Sequence, residues 1–318
     1  MDEFALIDLL LAELADTTTG ADVAIGPGDD AAATRVPPGH DLVSTIDSLV
    51  EGVHFPNGAS AELIGSRAFG VAVSDLAAMG ATPSFCIVAL TLPSANADWV
   101  RGFARGLAGA ARRNRCAIVG GNLARGPLNV AVSAHGHLPS GTALIRSGAR
   151  PGDVIAVSGE LGGAALALTH PRLLDVKTIA ELASSRPGDV DYPLFRYYLP
   201  APRLALGEQL RGIASAAIDV SDGLLADLAH LAERSGVQAR IDIAQLPCAP
   251  GCPPHRAATS GDDYELLFAC PASRWLDVER IGTGLGQRIT RIGTVAAGRG
   301  VVAIGLESTA SRGYQHFD

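Results

Sequence analysis

The stretch AELIGSRAFGVAVSDLAAMGATPSFCIVALTL, residues 61–92, decides the fold because it joins a long apolar helix to a buried strand. Residues 61–79 are mostly apolar and predict a helix, whereas FCIVALTL, residues 85–92, has the length and apolar character of a buried strand. A glycine and a proline separate the two elements. A strand packed against such a helix is the unit of layered α/β and α+β folds.

The same alternation of helices and strands continues on both sides of this stretch. We therefore predict the class α/β (α+β), without an internal repeat of fixed period. The turn-rich segment SGARPG at 147–152 places a domain boundary near residue 145, which gives domains 1–145 and 146–318. The predicted helices are 4–14, 61–79, one around 99–110, one after Gly162–Gly163, 202–211, 222–235 and 272–284. The predicted strands are 41–47, 85–92, 116–121, 128–138, 153–159, 216–220, 237–243, 264–270 and two more near the end.

Composition excludes several classes of protein. A length of 318 residues suits two domains, and a net charge of −8 argues against a nucleic-acid binder, which carries a basic face. The apolar runs are too short for a membrane span, and the acidic N-terminus MDEFALIDLLLAELAD lacks the basic region of a signal peptide. Five cysteines without a framework spacing predict reduced thiols and a cytoplasmic location.

The basic residues exclude one kind of nucleotide site. Lys177 is the single lysine among the 25 basic residues, and no glycine precedes it in LLDVKTIA. A P-loop requires a lysine directly after its glycines, so a Walker-A site is excluded. Any phosphate recognition must therefore use other groups.

Aspartates recur at strand ends and in glycine-bearing turns, where carboxylates could hold Mg²⁺ between protein and phosphate. Each has a structural alternative: a turn former for Asp29 and Asp30, and a helix N-cap for Asp47 and Asp222. Asp75 differs, because a lone carboxylate inside an apolar helix is costly and needs a partner. Gly121 is similarly ambiguous between a turn and a close approach to phosphate.

Taken in order, the motifs are more specific than any one of them. They are GPGDDAA (26–32), STIDSLVEGVHF (44–55), AVSDLAAMGATP (72–83), GGNLARGP (120–127), RSGARPGD (146–153), DVSDGLLADL (219–228), GDDYELLF (261–268) and GYQHF (313–317). This series closely resembles thiamine-monophosphate kinases over nearly the whole chain. That family belongs to the superfamily of aminoimidazole ribonucleotide synthetase, selenophosphate synthetase and the hydrogenase-maturation dehydratase.

The resemblance implies transfer of the γ-phosphoryl group of ATP to thiamine monophosphate, which gives thiamine diphosphate and ADP. It implies a two-domain aminoimidazole ribonucleotide synthetase-like fold, whose N-terminal domain binds ATP and Mg²⁺ and pairs with a second copy through a dimeric β-barrel-like sheet. By motif position, the implied Mg²⁺ ligands are Asp30, Thr45, Asp47, Asp75, Asn122, Asp219 and Asp222. The implied ATP contacts are Gly121, Asn122, Arg146 and Ser221. The implied thiamine monophosphate contacts are His54, Asp262 and Tyr314, the last through the attraction of an aromatic face for a cation.

Three positions depart from the family pattern. Asn122 stands where the family has Asp, so one oxygen ligand remains but a charge is lost. Ile46 replaces a threonine and offers only its backbone, and Asp262 replaces a longer Glu. Two alternatives therefore stay open: another ATP-dependent synthetase of the superfamily, or a non-catalytic sensor of ATP or thiamine phosphate.

Overall fold

The computed structural model describes residues 3–306. Their helices are α1 (Glu3–Leu14), α2 (Ala61–Ala78), α3 (Ala97–Arg113), α4 (Gly163–Ala167), α5 (Ile179–Leu182), α6 (Tyr192–Tyr198), α7 (Leu204–Leu210), α8 (Leu224–Ser235), α9 (Pro254–Thr259) and α10 (Trp275–Gly284). Their strands are β1 (Val23–Ile25), β2 (Ala33–Thr34), β3 (His40–Val50), β4 (Thr82–Leu92), β5 (Ala117–Arg125), β6 (Asn129–Pro139), β7 (Val154–Ser158), β8 (Ala216–Asp219), β9 (Gln238–Asp242), β10 (Leu266–Cys270), β11 (Ile289–Ala296) and β12 (Gly300–Ile304).

The first half of the chain forms a four-stranded sheet in the order β3-β6-β4-β5. The pairs β3–β6 and β6–β4 are antiparallel, and β4–β5 is parallel. Helices α2 and α3 cover one face of this sheet. The other face, which we call the open face, exposes Leu42, Ile46 and Ile87, and Ile46 is 66% exposed. Alternation along β3 therefore places Ile46 and its neighbour Asp47 on opposite faces.

The second half forms a six-stranded sheet in the order β12-β9-β11-β7-β10-β8, in which only the outer pair β12–β9 is parallel. Strands β7, β8 and β10 are buried along their whole length, as their apolar sequences predict. These two sheets with their covering helices confirm the predicted α/β (α+β) class. The first sheet ends at Pro139 and the second begins at Val154; the two predicted domains around this gap stay a prediction.

Helix α2 is shared between the two halves. It contacts β3 and β6 of the first sheet, and also β8, α6 and α7 of the second half. The hydrophobic core of the first half accordingly includes Leu194, Tyr197 and Tyr264 from later in the chain. The side chains of α2 from Leu63 to Ser74 are all buried, which is why this helix carries so few charges.

The segment 171–192, which has little regular sequence pattern, packs against α2. Val176 and Leu182 are buried, and Ile179 donates its backbone N–H to Glu62 Oε1 at 2.9 Å. The side chains of Thr178 and Glu181 form a capping box around the short helix α5. The segment is therefore part of the wall behind the first core.

Two local features differ from the sequence-based expectation. Strand β5 does not end at the glycine pair but continues to Arg125, so Gly121 lies within a strand and not in a turn. A Cβ at Gly121 would lie 2.1 Å from the carbonyl oxygen of Val88, so glycine is required by the close neighbouring strand. The other is the start of α8, where Gly223 holds the N-cap position and no side chain caps the helix, so the N-cap alternative for Asp222 is wrong.

Helices α2 and α3 cross with their backbones in close contact. A Cβ on Gly106 would lie 1.8 Å from the carbonyl oxygen of Glu62, and a Cβ on Gly65 would lie 2.2 Å from that of Phe103. Such contacts leave no room for any side chain unless the helices move apart. These glycines therefore set the distance between the two helices.

We expect Gly106→Ala to lower the free energy of unfolding by about 1–3 kcal/mol, because overpacking forces the helix backbones apart. Gly109→Ala is the matched control on the same helix, since its Cβ would meet only the end of Arg113 at 3.5 Å. Alanine there should be neutral or stabilise by up to about 1 kcal/mol. Urea denaturation of both variants checks this; equal losses at the two positions would contradict the assigned crossing point.

Candidate functional site

A cluster of carboxylates lies where β3, α2 and β8 meet. Asp47 comes from β3, Asp75 from α2 and Asp219 from the end of β8, so the cluster joins the two halves of the chain. Thr45 Oγ1 donates a short hydrogen bond to Asp75 Oδ2, and Ser74 Oγ donates to Asp219 Oδ2 at 2.7 Å. The sequence required a partner for the carboxylate of Asp75, and the structure supplies Thr45.

Burial and the charge of Asp75 raise the pKa values of Asp47 and Asp219. Burial, followed by the charge of Asp75, raises the pKa of Asp47 to about 6. Burial, followed by the charge of Asp75, raises the pKa of Asp219 to about 7, with a smaller contribution from Asp47. The Ser74 hydrogen bond and the positive charge of Arg146 act on the pKa of Asp219 in the opposite direction. Arg146 therefore lies within electrostatic reach of the cluster.

The loop Ser221–Gly223 borders the cluster and is held by Asp227. Asp227 Oδ2 accepts hydrogen bonds from the backbone N–H groups of Ser221, Asp222 and Gly223 at 3.0, 3.2 and 3.1 Å. Burial, followed by the charges of Asp219 and Asp222, raises the pKa of Asp227 to about 8. Asp222 and Ser221 therefore lie beside Asp219, and the side chain of Asp227 holds the backbone of their loop in place.

Three predicted site residues, Asp30, Gly121 and Asn122, lie elsewhere. They line a cavity of about 650 Å³ between α1, β5 and the segment 26–32. Asp47 lies opposite Val132 on β6, Val132 opposite Val88 on β4, and Val88 opposite Gly121 on β5. Three strand spacings separate β3 from β5, which is about 14 Å.

Asn122 also faces the other side of the sheet from Asp47. It is the register partner of Ala89, which is exposed on the open face, whereas Asp47 shares the helix-covered face with buried Val132 and Val88. A single chain therefore does not bring Asn122 to the carboxylate cluster. The predicted shared ligand set stays a prediction.

The predicted substrate contacts His54 and Asp262 lie together around one buried arginine. Arg67 Nη2 donates to Asp262 Oδ1 at 2.8 Å and to the carbonyl oxygen of His54 at 3.2 Å. His54 Nδ1 accepts the backbone N–H of Val50 at 3.0 Å, so a neutral imidazole carries its proton on Nε2 and is a donor there. Tyr314, the third predicted contact, lies outside the described residues.

The cluster fits Mg²⁺ in the manner of phosphate-transfer sites. Within the described part of the chain, no group of three or more His, Cys, Asp or Glu side chains is arranged so that it could hold a metal ion by itself. Mg²⁺ is usually held by one or two carboxylates together with substrate phosphates and waters, so such a cage is not expected. Carboxylate and hydroxyl oxygens are the ligands this ion prefers, and its charge would offset the repulsion that raises the pKa values of Asp47 and Asp219.

Sequence reasoning missed Arg67, Ser74 and Asp227. For Arg67 the signal was available, because a lone cation inside an apolar helix needs a partner for the same reason as Asp75. Ser74 precedes Asp75 directly, but nothing in the sequence indicates that it faces Asp219. Asp227 looks like an ordinary acidic residue of a helix first turn, and only the fold shows that it caps the preceding loop.

Models of one protein family match both halves of the chain. The model described as AIR synthase related protein, N-terminal domain, matches residues 28–138, and that of the C-terminal domain matches residues 150–305. These matches define the class: the chain is an AIR synthase related protein. Among residues 3–306, no helix is both long enough and apolar enough to cross a membrane.

Individual relatives identify the family within this class. The thiamine-monophosphate kinase of Salmonella typhimurium is 39% identical over 312 residues, which cover 93% of each chain. The crystal structure of thiamine-monophosphate kinase from Stenotrophomonas maltophilia superimposes with a TM-score of 0.83 at 41% identity, covering 96% of this chain and 97% of that one. A structure described as AaThiL complexed with AMPPCP and TMP gives a TM-score of 0.76 at 32% identity, covering 99% and 97%. This chain belongs to the thiamine-monophosphate kinase family.

The raised pKa values predict how stability depends on pH without metal. Because Asp47 and Asp219 bind protons more tightly in the folded chain than in the unfolded one, stability falls as pH rises from about 4 to about 7. Asp219→Asn removes one such charge but keeps an acceptor for Ser74. In EDTA at pH 8 we expect this variant to exceed the wild type in unfolding free energy by about 1–3 kcal/mol. At pH 5 the difference should be smaller, because part of the loss between pH 4 and pH 7 has not yet occurred, as urea denaturation at both pH values will measure.

A control variant and the addition of Mg²⁺ test this prediction further. Asp98→Asn is the control, because the side chain of Asp98 is 93% exposed on the surface and should leave the pH dependence unchanged. Excess Mg²⁺ should stabilise the wild type more at pH 8 than at pH 5 and should stabilise Asp219→Asn less. A wild-type protein whose stability rises from pH 5 to pH 8 relative to Asp219→Asn would contradict the assigned burial of this carboxylate.

Proposed function

We propose that this chain transfers the γ-phosphoryl group of ATP to the phosphate of thiamine monophosphate, which yields thiamine diphosphate and ADP. One observation carries the proposal: the convergence of Asp47, Asp75 and Asp219 on one point between the two halves of a chain of this family. These carboxylates repel one another unless cations lie between them, and a phosphate-transfer site supplies such cations.

The residues of the chain have distinct tasks in this reaction. Asp47, Asp75, Asp219 and Asp222 would hold Mg²⁺, with Thr45 fixing the carboxylate of Asp75. Bound Mg²⁺ supplies positive charge that shields the phosphates from one another and offsets charge that develops during transfer.

The acceptor phosphate of thiamine monophosphate is already anionic at neutral pH, so we assign no general base. One of its oxygens forms the new bond to the γ-phosphorus as the bond to the ADP oxygen breaks. The task of the protein is to bring two anions together in line, and the positive charge of Arg146 near Asp219 favours that approach. His54 and Asp262 would orient the acceptor, with Ser221 and the backbone of Gly121 contacting ATP.

The separation of Asn122 from Asp47 across three strand spacings of one chain favours a homodimer. The open face carries exposed Leu42, Ile46 and Ile87, an apolar surface of the kind that a second copy covers. Along the described residues, β3 and β5 pair on one side only. If β5 of one copy lies beside β3 of the other, as in the expected barrel-like sheet, then Asn122 of the partner subunit lies one strand spacing from β3, about 5 Å instead of about 14 Å, with its side chain on the open face. The side chain of Ile46 would then pack in the dimer interface, while its neighbour Asp47 would bind Mg²⁺ on the other face.

The chain is proposed to work in the cytoplasm, where ATP and Mg²⁺ are available. All five cysteines are free thiols, and four of them, Cys86, Cys116, Cys252 and Cys270, are buried. Free thiols of this kind persist in a reducing compartment.

Release of ADP tests the reaction and separates it from the alternatives. We expect the purified protein to release ADP with thiamine monophosphate, and not with thiamine or aminoimidazole precursors. Asp75→Ala should reduce this turnover by a factor of about 10³ or more, because it removes the carboxylate shared by Asp47 and Asp219. Glu233→Ala, an exposed acidic change on α8, is the control of equal charge. Activity with another acceptor would favour a different synthetase, ATP binding without turnover would favour a sensor, and full activity of Asp75→Ala would remove its metal role.

Complementation tests whether the site is shared between two copies. Asp47→Ala and Asn122→Ala should each be inactive or weak as homodimers. In a mixed dimer, one site would receive both substitutions and the other would receive neither. After unfolding and refolding together, an equal mixture should therefore regain about a quarter of wild-type activity, by random pairing of copies. A mixture no more active than its components would place Asp47 and Asn122 in separate sites.

A further inference from the structure

We infer that Arg67 is a positioning residue of the thiamine monophosphate site, which fixes His54 and Asp262 relative to each other. This inference rests on the proposed function and adds to it a residue that the family resemblance did not supply. Arg67 itself is 1% exposed, so it acts on the substrate through its neighbours.

The contacts of Arg67 converge on the two predicted substrate residues from both halves of the chain. One guanidinium nitrogen binds the carboxylate of Asp262 and the carbonyl of His54, as described above, and Nη1 donates to the carbonyl oxygen of Tyr197 at 2.8 Å. The guanidinium carbon lies 4.0 Å from the ring centroid of Tyr197. The hydroxyl of Tyr197 donates to the same His54 carbonyl at 2.9 Å. The His54 loop is therefore held by two donors that are themselves in contact.

Asp262 is held in a backbone conformation that needs support. Its φ is +68° and that of Tyr264 is +50°, values in the left-handed region that cost energy for residues with a Cβ. Backbone hydrogen bonds to Ser221 and Val220, both 2.8 Å, hold the loop against the metal-site loop. Oδ1 of Asp262 accepts from both Arg67 and the hydroxyl of Tyr264 at 2.8 Å. The geometry directs this carboxylate and fixes its rotation.

Stability alone is a poor reason for this arrangement. The Nε of Arg67 is buried without a hydrogen-bond partner among the described residues, which carries a desolvation cost. A buried ion pair with an unsatisfied donor contributes little to stability in comparison with an apolar side chain of the same volume. What an arginine supplies here is its planar fork, which can bind acceptors on three separate segments at fixed angles.

This position also explains how a shorter side chain can serve at residue 262. A carboxylate on a shorter stem has less reach, so its place is set by the backbone and by its hydrogen-bond donors. Arg67 and Tyr264 both bind Oδ1, and the side chain of Asp262 remains 31% exposed. The carboxylate can therefore accept a donor from the substrate while it stays bound to Arg67.

Steady-state kinetics of Arg67→Lys, Arg67→Met and Tyr264→Phe test the inference. We expect the KM for thiamine monophosphate to rise about tenfold or more in Arg67→Met, since hydrogen bonds to charged groups orient two of its contacts. The KM for ATP should change less than about twofold. Arg67→Lys should restore part of the loss, because an ammonium group keeps the charge but not the fork. Tyr264→Phe removes a single hydroxyl. It should also raise the KM for thiamine monophosphate more than the KM for ATP, but by a smaller factor than Arg67→Met.

Arg211→Lys is the matched control. Arg211 also joins the two halves of the chain, by donating Nη1 to the carbonyl oxygen of Gly80 at 2.7 Å. Gly80 lies thirteen residues along the chain from Arg67, beyond the other end of α2, which is about 20 Å at the rise of a helix. We expect this control to lower the melting temperature without a selective change in either KM.

The outcomes separate the inference from the proposed function. If the wild type releases ADP with thiamine monophosphate and the Arg67 variants alter the two KM values equally or leave both unchanged, then Arg67 is structural and the inference is overturned. If Arg67→Met does not fold, an unchanged KM for thiamine monophosphate in both Arg67→Lys and Tyr264→Phe overturns it as well. If the wild type itself shows no turnover with thiamine monophosphate, the proposed function fails first and the inference fails with it.

Discussion

The constraint on which the site depends is that packing holds three mutually repelling carboxylates close together. Asp47, Asp75 and Asp219 come from three different elements, and the charge of Asp75 adds to burial in raising the pKa values of Asp47 and Asp219. Hydroxyl donors from Thr45 and Ser74 offset only part of this cost. The fold holds the three groups together because they project from α2 and from strands on either side of it, which packing fixes independently of charge. Their arrangement is therefore ready for cations and for the phosphates that accompany them.

Helix α2 fixes the distance between the carboxylate cluster and the predicted substrate contacts, because it carries a residue of each. Asp75 lies near its C-terminal end, and Arg67 lies eight residues earlier, which is about 12 Å along the axis. The acidic end faces β3 and β8, and the basic end faces the loops of His54 and Asp262. The glycines that let α3 approach α2 closely, with Gly106 against Glu62, keep this helix in one place. A rigid helix thus sets the separation between the phosphate-transfer point and the acceptor.

Much of the fold and part of the site could be predicted from the sequence. Apolar periodicity identified α2, α3 and the buried strands, because burial requires apolar side chains wherever an element has no exposed face. The partner that Asp75 needed followed from the cost of an isolated buried carboxylate. The same argument applied to Arg67 would have predicted an acidic partner for this buried arginine, which the structure shows to be Asp262. The resemblance to thiamine-monophosphate kinases was confirmed by relatives that match almost the whole chain.

Other features depend on contacts between residues that are far apart in the chain. Asp222 has the sequence context of a helix cap, yet Gly223 holds that position and the side chain of Asp227 binds the loop. Gly121 has the context of a turn, yet it lies inside β5, where the carbonyl of Val88 excludes any Cβ. Local sequence limits the conformations that a residue can adopt, and contacts with distant segments decide which of them it takes in the folded chain.

The sequence by itself determined the class of fold, the order of the elements, the family and the residue types available for phosphate chemistry. These follow from local preferences and from motif order, which are properties of the chain as written. Only the tertiary structure decided which aspartates meet, since Asp47 and Asp219 are 172 positions apart, and which site residues do not, since strand register places Asn122 about 14 Å from Asp47 and on the other face. The physical reason is that a strand's register and a helix's crossing point are set by packing between distant segments, and each shift of one residue exchanges the two faces.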